Sequence, residues 1–167
     1  MKTCCFIGHR NTKATPELCE ELRRTIINLI EEKDVKWFLF GSGSKFDDLC
    51  LNTVTELQEA YPEVKRMYVR SQYPYIEKWY KEYLLESYDD TLMPSKVENA
   101  GKASYVEHNQ EMINASDFCV FYYNEEYKPP LRKQCRSALS TYQPKSGTKV
   151  AYEYAKQKKK DIINLYR

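Results

Sequence analysis

Short apolar runs alternate with amphipathic stretches along most of this chain, and this alternation limits the fold more than any other feature of the sequence. Each run is too short for a helix and is typical of a buried strand. The predicted strands cover residues 4–7, 37–40, 64–69, 118–123 and 162–165. Strands that alternate with helices favour a parallel sheet covered on both faces. We therefore predict an α/β fold of three layers, with an open sheet of about five strands between two layers of helices.

Helices are predicted between the strands from the spacing of apolar side chains. The first begins after Thr15, a good N-cap, with Pro16 at the first helical position. Later helices are predicted from about residue 46, over 101–115 and over 147–158. A short helix in the middle of the chain is predicted to bury one apolar face, formed by Ile76, Trp79, Tyr80, Tyr83 and Leu84. Residues 89–100 and 124–145 are predicted to be loops, and the second is unusually long.

The charge balance and the cysteine pattern argue against several classes of protein. With 26 basic and 24 acidic residues, the net charge of +2 is too balanced for a general polyanion binder, so we do not expect nucleic acid as the partner. The 6 cysteines form no CxxC pair and no zinc spacing, which predicts reduced thiols in a cytoplasmic protein without a metal or other cofactor. No apolar run reaches the roughly 18 residues of a membrane span, and no signal peptide is visible. We expect one domain over residues 1–167, without membrane contact.

Three polar loops either follow predicted parallel strands or lead into the helices behind them. They contain Gly8, His9 and Arg10; Gly41, Ser42, Gly43 and Ser44; and Ser146, Gly147 and Thr148. Parallel topology brings such loops to one edge of the sheet, where ligands of open α/β folds bind. Two of them precede helix N-termini, whose free N–H groups attract anions. The loops therefore predict a small phosphorylated or carboxylated ligand, although each glycine–serine pair alone is equally typical of a tight turn with a helix N-cap.

Few residues near these loops are suited to catalysis. Asp47, at the start of a predicted helix, is the candidate catalytic residue, since a carboxylate there can bind a ribose hydroxyl or activate water. The alternative is that Asp47 only complements the helix dipole. His9 is a candidate acid or base without an identified partner, and Cys4 or Cys5 is a poor nucleophile because strand-interior thiols are usually inert. The glycine loop is not a dinucleotide fingerprint, because Phe46 stands where a third glycine would be.

The long predicted loop carries a group of basic side chains, Arg132, Lys133, Arg136 and Lys145. These cations are suited either to clamping an anionic ligand or nucleic acid, or to an ordinary solvated surface loop. The sequence alone leaves both interpretations open.

Several of these motifs, taken in order, resemble the SLOG superfamily, which is named for the SMF/DprA and LOG proteins. The matching segments are residues 5–10, 40–43 with Asp47, 108–113, 116–123, 146–148 and 151–155. The resemblance covers nearly the whole chain and is strongest to the YpsA-like branch of small bacterial and phage proteins. The Gly-His-Arg start and the Ser-Gly-Thr helix start make it fairly specific.

The resemblance implies a Rossmann-like fold with strand order 3-2-1-4-5 and a nucleotide or nucleotide-derived ligand at the carboxyl ends of the strands. LOG enzymes in this superfamily release the base from a nucleoside monophosphate, other members resemble nucleotide sensors, and DprA proteins bind single-stranded DNA. Asn109 and Tyr122 would then line the ligand pocket. Superfamily members often form homodimers, and the Tyr-rich middle of the chain is the candidate contact between two copies.

The chain departs from the LOG pattern at the residues that matter for hydrolysis. Ala151 stands where the LOG motif places its catalytic Glu, and Glu153 lies two residues later, about 200° around a helix. Lys45 replaces a usual glycine, and His108 stands where the branch commonly has Arg. We therefore expect a cytoplasmic protein that binds a nucleotide or an ADP-ribose-like ligand. The alternatives are a nucleoside-monophosphate N-glycosidase that uses Asp47, and an adaptor for nucleic acid or protein that acts through the basic loop.

Overall fold

Strands and helices alternate along the chain and form one parallel sheet with helices on both faces. The computed structural model describes residues 1–70, 77–94, 104–129 and 145–167. Within them the strands are β1 (Lys2–Gly8), β2 (Val35–Phe40), β3 (Lys65–Val69), β4 (Asp90–Leu92), β5 (Phe118–Tyr122) and β6 (Asp161–Asn164). They lie in the order β4-β3-β2-β1-β5-β6, and every neighbouring pair is parallel. The order reverses at β1, so β1 and β5 flank the switch point of the sheet.

The helices divide between the two faces of the sheet. Their bounds are α1 (Pro16–Glu31), α2 (Lys45–Leu57), α3 (Lys78–Leu85), α4 (Ser104–Asn114) and α5 (Gly147–Gln157). One hydrophobic cluster joins α1 and α2 to the side chains of Phe6, Phe38 and Phe40. The second joins α4 and α5 to alternate strand residues, among them Cys5 and Ile7. Because successive side chains of a strand point to opposite faces, each central strand supplies both clusters.

The sheet has six strands, so the prediction of about five strands in the order 3-2-1-4-5 was wrong in its count. The additional strand, β4, lies in residues 89–100, which the sequence analysis assigned to a loop, and it pairs with β3. As a result β3 is an interior strand. Three residues are too few to show a hydrophobic period, and β4 is held by backbone pairing rather than by buried side chains. The predicted strands correspond, in chain order, to β1, β2, β3, β5 and β6.

The predicted apolar face of α3 was also wrong. Trp79 is 66% exposed and Tyr83 is 62% exposed, and Leu84 is the buried residue of this helix. Ile76 lies outside the described residues. That the Tyr-rich middle forms a contact between two copies of the chain stays a prediction.

The start of α1 and the segment after β5 agree with the sequence predictions. Thr15 is the N-cap of α1, as predicted, and its hydroxyl accepts from the N–H of Leu18 at 3.2 Å. Residues 124–129 form neither helix nor strand, in agreement with the predicted loop, whereas Arg132, Lys133 and Arg136 lie outside the described residues. In the described ranges no helix is both long and apolar enough to cross a membrane.

Gly8 at the end of β1 lets α2 approach the centre of the sheet. A Cβ built on Gly8 would lie 2.5 Å from Cδ1 of Phe46, which is fully buried. This separation is far below van der Waals contact, so the first turn of α2 can lie here only because residue 8 has no side chain. The sequence places a glycine at this strand end, but the ring that covers it is brought there by the tertiary fold.

We predict that Gly8→Ala lowers the free energy of unfolding by about 1–3 kcal/mol, the usual cost of overpacking a well-packed core. Gly147→Ala is the matched control, because a Cβ there meets no atom within 4 Å. Since alanine is the better helix former, the control is expected to be neutral or to stabilise by up to about 1 kcal/mol. Urea unfolding followed by circular dichroism measures both changes. Equal stabilities for the two variants would contradict the close approach of Phe46.

Candidate functional site

The loops after β1 and β2 meet at the carboxyl edge of the sheet. The N–H of Lys45, the first residue of α2, donates to the carbonyl of Arg10 at 3.0 Å. With Phe46 seated on Gly8, this bond makes the two predicted loops adjacent parts of one surface. The Arg10 side chain is exposed beside the switch point.

His9 connects the two strand ends that flank the switch point. Its backbone N–H donates to the carbonyl of Tyr122 at 3.2 Å, and its ring Nε2 accepts from the N–H of Asn124 at 2.8 Å. The hydroxyl of Thr12 donates to the His9 carbonyl at 2.8 Å, which fixes the loop from the other side. His9 therefore holds the loop after β1 to the loop after β5.

The His9 ring is neutral in this arrangement, because an N–H group can donate only to an unprotonated ring nitrogen. Burial lowers the pKa of His9 from its usual value, which favours the same state. The remaining proton is then on Nδ1. The ring lies 4.6 Å from the Tyr127 ring and 5.9 Å from the Tyr123 ring, measured between centroids. An aromatic group thus covers His9 where the sequence analysis found no partner for it.

Asp47 supports the glycine loop from inside. Its side chain is 4% exposed, and its Oδ2 accepts from the N–H of Gly41 at 3.1 Å. In the other direction, the N–H of Asp47 donates to the hydroxyl of Ser44, the N-cap of α2, at 3.0 Å. The pair therefore forms a variant of the capping box, in which Ser44 caps the helix and the carboxylate three residues later reaches back to the loop. The motif Ser-x-x-Asp is the sequence signal for this arrangement.

Burial raises the pKa of Asp47 to about 7, although the hydrogen bonds from Gly41 and from Ser42 act in the opposite direction. Near neutral pH the carboxyl group is therefore protonated in a substantial fraction of molecules. Its position suits Asp47 to shaping the loop, because the carboxyl group accepts from the N–H of Gly41 and the backbone N–H of Asp47 donates to Ser44.

Gly41 occupies a backbone position that a side chain would not tolerate. Its φ of +139° favours glycine, and a Cβ would collide with the carbonyl oxygen of Val69 at the end of β3 and lie 3.0 Å from Nε2 of His108. His108 is 1% exposed, and its Nε2 donates to the same Val69 carbonyl at 2.6 Å. Burial lowers the pKa of His108, which keeps the ring neutral. His108 thus braces β3 against α4 beneath the glycine loop.

The third predicted loop begins α5. Ser146 is its N-cap, and the hydroxyl accepts from the N–H of Lys149 at 3.0 Å. The N–H groups of Gly147 and Thr148 precede the first helical hydrogen bond, so the helix itself does not satisfy them. The Tyr152 ring of α5 lies 4.7 Å from that of Tyr123, which lies 5.9 Å from the His9 ring of the first loop, measured between centroids.

The remaining predicted residues lie close to these loops. The Tyr122 ring stacks on that of Phe46 at 5.7 Å, and the side chain of Asn109 lies beside His108. Ala151 faces the core with 1% exposure, whereas Glu153 is on the surface, where it pairs with Lys145 at 2.8 Å. Glu153 therefore points away from the position of the LOG carboxylate, as the helical spacing predicted.

A group of tyrosines beside the glycine loop was missed by the sequence analysis. The rings of Tyr68 and Tyr88 are 5.0 Å apart, and Tyr80 lies beside Tyr68. Burial raises the pKa of Tyr68 to about 12, so its hydroxyl remains protonated. The abundance of tyrosine, 15 residues, signals such a group but does not locate it. In the described ranges, no group of three or more His, Cys, Asp or Glu side chains could hold a metal ion.

The open parallel sheet, its reversal of order at β1 and the loops along one edge define a Rossmann-like α/β protein. The chain matches the model of the YspA SLOG family (YpsA) over residues 6–166, and it belongs to that family. The predicted resemblance is thereby confirmed.

A solved structure, DNA processing protein A (DprA) from Streptococcus pneumoniae, is similar in fold, with a TM-score of 0.59 at 12% sequence identity. The similarity covers 96% of this chain and 49% of that one, so this chain spans about half the length of the DprA structure. No curated protein matches the chain significantly.

The raised pKa of Asp47 predicts a pH-dependent stability. Because the folded chain holds this proton up to about pH 7 and the ordinary pKa is 3.8, the contribution of Asp47 to the free energy of unfolding should fall as pH rises through this window. The largest slope from one such group is about 1.4 kcal/mol per pH unit. Asp47→Asn should remove this contribution, and urea unfolding from about pH 5 to about pH 8 measures it.

Asp48→Asn is the control for this measurement, because Asp48 is the exposed neighbour on the same helix. It should keep a pH slope of the same sign, with Asp47 titrating at a somewhat lower pH, because the charge of Asp48 contributes to the raised pKa of Asp47. A slope that is the same in all three proteins would show that Asp47 ionises normally within the fold.

Proposed function

We propose that this protein binds a nucleotide or a nucleotide derivative, such as an ADP-ribose-like molecule, along the carboxyl edge of the sheet. The observation that carries the proposal is the position of Arg10. It is an exposed cation at the end of the central strand β1, beside the switch point, and its backbone is fixed by the N–H of Lys45. Membership of the SLOG family supports a nucleotide-related ligand.

In this proposal the phosphate is bound by Arg10 and by the start of α5. The N–H groups of Gly147 and Thr148, which make no helical hydrogen bond, and the positive end of the helix dipole favour an anion there. The glycine loop, Gly41 to Ser44, has a different role. The N–H of Gly41 donates to Asp47, so this loop cannot offer the ligand a full set of backbone donors. Its contribution is a complementary surface and the hydroxyl of Ser42.

The base and ribose would lie against the side chains between these loops. Tyr122 and the neutral His9 offer ring surface, and Asn109 offers an amide, although it lies beside the buried His108. Asp47 acts in this proposal as the residue that positions the loop, rather than by direct contact with ribose.

Binding without hydrolysis is supported by the contacts of the two candidate carboxylates, which are both made with other groups of the chain. An N-glycosidase needs a carboxylate near the developing oxocarbenium ion of the ribose. Asp47 is directed at the backbone of Gly41, and Glu153 is paired with Lys145 on the surface. The likeness to DNA processing protein A concerns the fold alone at 12% identity, so nucleic-acid binding is an outcome of the test and not part of the proposal.

We expect AMP, ADP or ADP-ribose to raise the thermal unfolding temperature of the full chain, because a ligand at 100 times its Kd stabilises by about 2.7 kcal/mol. Arg10→Gln should weaken the binding by about 10-fold or more, the effect of losing a hydrogen bond to a charged group. Lys13→Gln is the matched control, since Lys13 is an exposed cation of the same loop, and it should leave the Kd unchanged.

Two results would contradict this proposal. Release of free base from a nucleoside monophosphate, measured by chromatography, would favour the N-glycosidase. The absence of any shift with nucleotides, together with steeply salt-dependent DNA binding, would favour the adaptor.

A further inference from the structure

A second cationic position lies at the same edge, two strands from Arg10. Arg70 directly follows β3, and its backbone N–H donates to the carbonyl of Leu92 at 2.7 Å, which continues the pairing of β3 with β4. The sequence criterion that selected Arg10, a cation at the carboxyl end of a strand, applies equally to Arg70.

Unsatisfied polar atoms are concentrated at this position. Among the described residues, the buried side-chain nitrogen and oxygen atoms without a hydrogen-bond partner are Nε and Nη1 of Arg70 and Oγ1 of Thr91. Thr91 pairs with Tyr68 in the register of β3 and β4. Because side chains alternate along a strand, Tyr68, Arg70 and Thr91 share one face of the sheet. The unsatisfied atoms therefore belong to neighbouring residues on the same face.

Arg66 lies four positions before Arg70, on the same face of β3. Its contacts show how a structural arginine is bonded in this sheet. Its Nε donates to Asp89 at 3.1 Å, and its Nη1 donates to Thr55 at 3.0 Å. Arg70 has the same type of position, but its Nε and Nη1 have no hydrogen-bond partner. A guanidinium group cannot lose its proton, so burial of its nitrogens without an acceptor destabilises the fold.

The Arg70 position is continuous with the candidate site. The carbonyl of Val69, the preceding residue, lies against Gly41 and accepts from His108. The first residue of the glycine loop thus packs directly on the end of β3.

We propose that Arg70 and Thr91 bind an anionic group, a phosphate or a carboxylate, at the carboxyl end of β3. Oxygens of the anion accept from the guanidinium nitrogens and from the Thr91 hydroxyl. The inference deepens the proposed function and rests on it only in assigning this anion to the nucleotide-like ligand.

The test uses thermal unfolding of the full chain with inorganic phosphate, pyrophosphate and AMP at constant ionic strength. Arg70→Gln should weaken binding of the effective anion by about 10-fold or more, and Thr91→Val by about 3- to 10-fold. Without anion, both variants should be as stable as the unchanged protein or more stable, because each removes unsatisfied buried groups. Arg66→Gln is the matched control and should behave oppositely, with lower stability and unchanged anion binding.

A second measurement keeps the inference testable if Arg70→Gln fails to fold. In protein labelled with ¹⁵N-arginine, the Nε–H signal of Arg70, assigned by its absence in Arg70→Lys, should shift on addition of the anion. The inference is overturned if no anion stabilises the protein, or if Arg70→Gln lowers stability as Arg66→Gln does while leaving the anion Kd unchanged. Phosphate binding that depends on Arg70 without any nucleotide binding would support this site and contradict the proposed function. Nucleotide binding that is unaffected by Arg70→Gln would support the proposed function and contradict this site.

Discussion

The packing of Phe46 against Gly8 is the contact on which the arrangement of the loops at the carboxyl edge of the sheet depends. Central strand β1 ends without a side chain, so the first buried ring of α2 reaches its backbone. At that distance the N–H of Lys45 can bond to the carbonyl of Arg10, and the loops after β1 and β2 become one surface. A larger residue at position 8 would move the first turn of α2 and, with it, the glycine loop that Asp47 holds in shape.

Much of the fold could be predicted from the sequence because the central strands and main helices carry strong periodic patterns. The N-cap at Thr15 and the buried face of α1 are local features, and the structure has both. What the sequence could not show is set by tertiary context. Strand β4 is stabilised by pairing with β3, and its neighbour Asp89 is held by the backbone and side chain of Arg66. The apolar residues of α3 repeat at helical spacing, yet Trp79 is exposed, because spacing does not specify which face meets the sheet.

The candidate site also combines features that are encoded locally in the sequence with features that are set by tertiary context. Placement of Gly8, Arg10 and Gly41 at one edge follows from parallel topology alone. The partners of these loops do not, because His9 bonds to Asn124, 115 positions along the chain. Asp47 was predicted at the correct place, but whether its carboxylate faces a ligand or the loop depends on the backbone path of Gly41, which the sequence does not define. Long-range hydrogen bonds thus decide the chemistry of residues whose positions are locally encoded.

The two serine-capped helix starts differ in the donors that they leave for an anion. At α2, the N–H groups of Gly41, Lys45 and Asp47 are bonded within the protein. At α5, the first two N–H groups precede the helical bonds. In the proposed function, recognition of negative charge therefore falls to the α5 start and to two guanidinium groups, Arg10 at β1 and Arg70 at β3. Two strand spacings, about 10 Å, separate these strand ends. A ligand that engages both cations must be longer than a single phosphate, which favours a nucleotide-sized molecule over an inorganic anion.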